Sequence, residues 1–311
     1  MSVASQHQQG MTLAELLVAM TVGLGVLLTA GSLFIWATRA FAAQADTAAM
    51  DDAGRYALEA MARAVRQSTF VDWERDMGGP AADAPARLSG LDARRVAQTG
   101  FAIDHPIASA VHGSDVLAVR YPGSGAPPAG DGSTLDCAGF SVHRDREGWS
   151  VFYVARNAQG QAELRCKYRG ASNWSAHAVV GAVDSFQVLY GLDLDADGAP
   201  ERYVNASTLA GLDAALLLAG ASAAERAADL RRRTHWKKLA SVRVALLLHG
   251  APSRLASTAG LRYDLFGPEY GDMAGLADPG VRLLETTLAG RHAARQRKVF
   301  ATTIALPART E

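Results

Sequence analysis

From Met11 to Thr38 the only formally charged side chain is Glu15, and the run Leu13, Leu16, Leu17, Val18, Met20, Val22, Leu24, Val26, Leu27, Leu28 is apolar almost throughout. As a helix, roughly 28 residues at about 1.5 Å rise would reach about 42 Å. A bilayer core asks for only about 20 residues. The stretch therefore reads as a membrane span with residues to spare for water. A secretory signal would place basic residues first, then a shorter apolar stretch, then a small-residue exit site. Here the polar leader Met1–Gly10 contains no lysine or arginine, only His7, and the apolar run begins at once; Ala40–Ala43 imitates an exit site. A carboxylate inside hydrocarbon costs a few kcal/mol if unpaired, so Glu15 needs a partner or an interface. The positive end of a helix near the headgroups is one such place.

The string Gly10-Met11-Thr12-Leu13-Ala14-Glu15, followed by that apolar run, resembles the processing signal of type IV prepilins. The resemblance implies that a prepilin peptidase cuts after Gly10 and methylates the new N-terminus at Met11. It also implies that Glu15 pairs with a terminal amine, that of Met11, during assembly and so sets register. Met11 stands where phenylalanine is more usual, and the leader lacks the basic residues that would orient the span, so the resemblance alone assigns Arg39 to the periplasmic side. Gly23, Gly25 and Gly31 suit close contact between helices, as in a filament core.

Helical spacing continues through Met50, Ala53, Ala57, Leu58, Met61, Ala64 and Val65. Arg55, Glu59 and Arg63 stand four apart on another face, where they are expected to form exposed pairs. Beyond Phe70 the chain is punctuated by glycine and proline, as in Gly78-Gly79-Pro80 and Tyr121–Pro128. Strand-like runs lie at 115–121, 149–156, 163–168, 186–190, 242–249, 281–285 and 298–306. An alanine- and leucine-rich stretch near 207–233 predicts one or two helices, broken at Gly220. The expected fold class is α+β, a long N-terminal helix packed on a mostly antiparallel sheet. Its parts are a leader at 1–10, a membrane or filament-core helix at 11–38, a periplasmic continuation at 39–70 and a β-rich head at 71–311.

Asp52–Glu59, Val151–Val154 with Leu164-Arg165-Cys166, Val183–Gly191, Trp236–Leu248 and Val299–Leu306 resemble, in this order, the segments of PilW-type minor pilins. That likeness implies a low-abundance subunit of the type IV pilus, acting in an initiation or tip complex. Implied partners are prepilin peptidase, other minor pilins, the major pilin, the inner-membrane assembly platform and a tip adhesin. The implied location is the bacterial inner membrane with the head in the periplasm, and then the pilus. A minor pseudopilin of a type II secretion system shares these signals, and a single-pass anchored periplasmic protein is the more distant alternative.

Asp193, Asp195 and Asp197 alternate before Gly198, with Glu201 three residues on, a spacing that offers hard oxygen ligands to calcium. Val204 occupies the position where a complete EF-hand needs its bidentate acid. The other reading is an acidic hairpin turn. Two cysteines occur, Cys137 and Cys166, spaced too far apart for a redox pair and too few for a zinc site. Export would make a bridge between them favourable; two buried thiols are the alternative. Arg231, Arg232, Arg233, Lys237 and Lys238 form a dense basic patch, read as a solvated helix end in preference to a nucleic-acid surface. Lysine plus arginine balances aspartate plus glutamate at 31 each, so net charge points to no polyanionic partner. No nucleophile elbow, zinc helix or phosphate loop is present in the sequence, and the expectation is a protein that is not an enzyme.

Overall fold

The computed structural model describes residues 11–69, 81–252, 260–289 and 295–307. The leader read at 1–10 and the Gly78-Gly79-Pro80 loop lie outside the described residues. The chain divides into two compact units between Ala49 and Met50, and helix α1 (Leu13–Gln67) contributes to both.

In the first unit α1 buries nothing. Its best 18-residue window has a mean hydropathy of 2.1 and no buried residue, with side chains such as Leu27 and Trp36 exposed by 70% and 72%. The hydroxyl groups of the apolar stretch are satisfied within the helix. Thr21, Thr29, Ser32 and Thr38 each donate a hydroxyl hydrogen to a carbonyl three or four residues earlier. A span in hydrocarbon requires this, because no water is available to pair with them.

In the second unit, α1 from Met50 onward presents a stripe of Met50, Gly54, Ala57, Met61, Ala64 and Val65, all buried. Strands β1 (Leu88–Leu91), β2 (Val116–Pro122), β3 (Glu147–Arg156), β4 (Ala162–Arg169) and β5 (Trp174–Gly181) form an antiparallel sheet in chain order. Then follow β6 (Val183–Leu192), β7 (Arg202–Val204), α2 (Ala206–Ala214), α3 (Ala223–Arg233) and β8 (Leu239–Pro252). The chain continues with β9 (Arg262–Asp264), α4 (Pro268–Ala274), β10 (Arg282–Leu284), α5 (Glu285–Ala289) and β11 (Arg295–Ala305). A second antiparallel sheet runs β11-β8-β6-β7, and β9 and β10 pair as a ribbon.

Alternation along the strands builds the core. Leu117, Val119 and Tyr121 of β2, Phe152 and Val154 of β3, and Leu164 and Cys166 of β4 cluster with the α1 stripe. Phe186, Val188 and Tyr190 of β6 and Val242, Val244 and Leu246 of β8 belong to the same cluster. Strand β6 is buried at every position. Gly54 permits the closest approach of α1 to the second sheet, since a Cβ there would overlap the ring of Phe300. Two residues on, towards the start of β11, Lys298 Nζ donates to Asp51 Oδ1 at 2.7 Å.

Several expectations are refined. The stretch near 207–233 forms two short helices, α2 capped by the Asn205 side chain and α3 by a capping box of Ser222 and Glu225. Strands β1, β5, β7 and β9 lie outside the expected runs. Three of them have four residues or fewer, too short for a period to register. In β5 a register shift opposite Leu164 and Arg165 breaks the alternation. On α1 the expected ladder of Arg55, Glu59 and Arg63 is replaced by Arg55 with Asp52 at 3.6 Å and Arg66 with Glu59 at 4.0 Å.

Candidate functional site

At the start of α1 the Thr12 backbone N–H and hydroxyl both donate to Glu15 Oε2 at 2.9 Å, and the Glu15 N–H donates to Thr12 Oγ1 at 3.3 Å. This is a reciprocal capping box, which occupies two amides that the first turn otherwise leaves unpaired. Glu15 thus holds the first turn in place immediately after Met11, whose side chain is 75% exposed. Gly10, the residue on the other side of the expected cut, lies outside the described residues. The carboxylate is exposed, and its second oxygen, Oε1, has no hydrogen bond among the described residues.

The acidic loop follows β6. One oxygen from each of Asp193, Asp195, Asp197 and Glu201 lies within 4.8 Å of the others, and these are the residues that would hold a hard cation such as calcium. The same carboxylates cap their own loop. Asp193 accepts from Ala196 N–H at 2.7 Å and Gly198 N–H at 3.0 Å, Asp197 from Ala199 N–H at 2.7 Å, and Glu201 from Leu194 N–H at 2.9 Å. The hydrogen bond between Asp195 and Glu201 pushes the Asp195 carboxyl above its usual range, whereas the Leu194 amide holds Glu201 below its own. The carboxylates that would hold a cation thus also brace the backbone amides of their own turn.

Cys137 and Cys166 are joined in a disulfide, with Cα atoms 6.0 Å apart across 29 residues of chain. Closing a loop of that length stabilises by about 3 to 4 kcal/mol in the chain-entropy account. The basic patch is engaged with its own surroundings. Arg231 Nε donates to the Asp83 carbonyl at 3.0 Å and Lys237 Nζ to the Ala82 carbonyl at 2.7 Å, while Arg232 and Arg233 meet Asp229 at 3.2 Å. The first two contacts tie α3 and the turn after it to the segment at 82–83, and the pairs with Asp229 lie within α3.

The family model for Type IV Pilus-assembly protein W matches residues 151–308, half of the chain. This chain belongs to the PilW family. Among solved structures it is similar to the type IV-like pilin TTHA1219 from Thermus thermophilus, at 14% identity and a TM-score of 0.30, covering 72% of this chain and 86% of that one. No curated protein matches the sequence.

The family match begins at β3 and runs to the end of β11, so it spans most of both sheets. Within it lies a charged network of which sequence reading gave no sign. Arg297 of β11, almost fully buried, donates to Asp184 Oδ2 of β6 at 2.6 Å and to Glu285 Oε1 of α5. Tyr263 of β9 donates its hydroxyl to Glu285 Oε2 at 3.0 Å. His249 Nδ1 approaches Asp184 Oδ1 to 3.1 Å, off the line of a good hydrogen bond. Burial alone would raise the Asp184 pKa, but His249 and Arg297 outweigh it and hold the carboxyl below its usual value. These partners come from segments up to 113 residues apart, which is why spacing along the chain could not reveal them. The Thr12 cap was also missed, although threonine three residues before glutamate at the head of an apolar run is the sequence form of a capping box and could have revealed it.

Proposed function

We propose that this PilW-family chain is a prepilin: prepilin peptidase cuts it between Gly10 and Met11, methylates Met11, and the mature subunit enters a type IV pilus as a minor pilin of an initiation or tip complex. Residues 11–38 span the inner membrane first and line the filament core afterwards, with 39–70 continuing the helix into the periplasm and 71–311 forming the head. The observation that carries this reading is an apolar helix whose first 37 residues bury nothing in their own unit, together with family membership. Such a surface needs hydrocarbon or neighbouring helices. Glu15 then exchanges its Thr12 donors for a terminal amine as the subunit docks, a stronger charge-assisted pair. The subunit works through assembly with other minor pilins, the major pilin, the inner-membrane platform and a tip adhesin, and carries out no chemistry of its own.

The test is genetic. Deletion should remove surface pili, counted by electron microscopy, and wild type supplied in trans should restore them where Gly10→Ala and Glu15→Ala do not. Normal piliation with loss of protein secretion would instead assign the chain to a type II secretion pseudopilus.

A further inference from the structure

Once Arg55 has paired with Asp52 and Arg66 with Glu59, one arginine on that stretch of α1, Arg63, has no acceptor among the described residues. It lines a cleft of about 290 Å³ between α1, the loop 135–140 and strand β5. Tyr56 and Phe140 line the same cleft with 59% and 58% of their surfaces exposed. Large aromatic groups and an arginine converging on one concave, exposed spot are the composition of a binding centre. The Cys137–Cys166 bridge is part of the lining and fixes its shape in advance, which lowers the ordering cost of binding.

Besides Arg63 and the Tyr56 phenol, two titratable groups line the cleft, Asp136 and His177, and both are occupied. Asp136 Oδ1 accepts from Ala138 N–H at 2.9 Å and Phe140 N–H at 3.0 Å within its own loop. His177 Nε2 is 2.6 Å from the Tyr168 hydroxyl, and the two rings stack. The charge left to be met from outside is the Arg63 guanidinium.

The remaining wall is an end strand. Among the described residues β5 has no partner on its outer side. Of the other end strands, β1, β7, β9 and β10 have four residues or fewer, and β11 carries Arg295 and Lys298. Strand β5 has eight residues and contains no lysine, arginine, carboxylate or proline. His177 and Ala178 are exposed where it borders the cleft. An unguarded edge beside a side-chain pocket is the arrangement by which sheets capture extended peptides.

We propose that this cleft docks an extended acidic segment of a partner protein, its carboxylate taken by Arg63, an adjacent side chain held by Tyr56 and Phe140, and its main chain running along β5. The proposal stands on the second unit alone and is independent of the pilus reading.

Dye-labelled hexapeptides of alternating threonine and valine, with one glutamate moved through all six positions, and twins carrying glutamine instead, would be titrated against the full chain in nanodiscs by fluorescence anisotropy. Saturable binding is expected for glutamate peptides, weakened at least about ten-fold for their glutamine twins and for the Arg63→Gln chain, as loss of a charge-assisted hydrogen bond requires. Phe140→Ser should weaken the same peptides. Arg63 is exposed, so R63Q should keep the wild-type unfolding midpoint, and that is measured alongside. The proposal is overturned if no glutamate peptide saturates, if the glutamine twins bind equally, or if R63Q binds like wild type.

Discussion

Lys167 shows how a single residue can shape the head. It is 1% exposed, donates from Nζ to the Ala102 carbonyl at 2.8 Å, and sits 5.1 Å from the centre of the Trp174 ring. Burial pulls its pKa from 10.5 down to about 8, with the nearby Asp104 opposing. Between those two values the unfolded chain binds more protons than the folded one, so this residue's contribution to stability grows as pH rises through the window. Lys167→Met removes that dependence. Unfolding midpoints of wild type and variant, compared at pH 7 and pH 10, should shift relative to each other in favour of the wild type at the higher pH; a constant difference would contradict the assignment. At this scale the string Gly10-Met11-Thr12-Leu13-Ala14-Glu15 could be read as a motif because its residues are neighbours in the chain. Lys167 could not be read so, since nothing in Arg165-Cys166-Lys167-Tyr168 says that one lysine is covered by a segment some 65 residues away.

Among the elements, helix α1 was the most legible, because an unbroken apolar run and then a three- and four-residue spacing from Met50 to Val65 mark most of its 55 residues. Its packing was less so. Gly54 could be read only as a weak helix position until the ring of Phe300 was found against it. The contact inverts an ordinary rule. Glycine to alanine within a helix normally stabilises by up to about 1 kcal/mol, and Gly211→Ala in α2, where an added Cβ meets nothing within 4 Å, should follow that rule. Gly54→Ala should instead destabilise, by about 1 to 3 kcal/mol, because the ring has to move within a packed core. Denaturant unfolding of the two variants checks this, and a gain at both positions would show that α1 is not seated on β11 as described. The short strands β7 and β9 were invisible for a different reason: three residues carry no periodicity, and only pairing with a longer neighbour defines them.

In one compact unit α1 buries none of its residues, and in the other the end of α1 shares a core with both the four- and the five-stranded sheet. The six β-strands recognised beside the ribbon strand at 281–285 suffice for an antiparallel α+β head. The division into two sheets, and the network of Arg297, Asp184 and Glu285 that joins β11, β6 and α5, depends on contacts between distant segments, 113 residues apart for Arg297 and Asp184, and was out of reach of sequence. Family membership agrees with the head, whereas the matched residues 151–308 do not include the segment on which the functional claim turns. That claim is processing at Gly10. It is tested most directly by co-expressing the chain with an active prepilin peptidase and reading the mature N-terminus by mass spectrometry. The account predicts a chain that begins at Met11 and carries one added methyl group; an intact Met1 leader, with a control prepilin processed in the same cells, would contradict it.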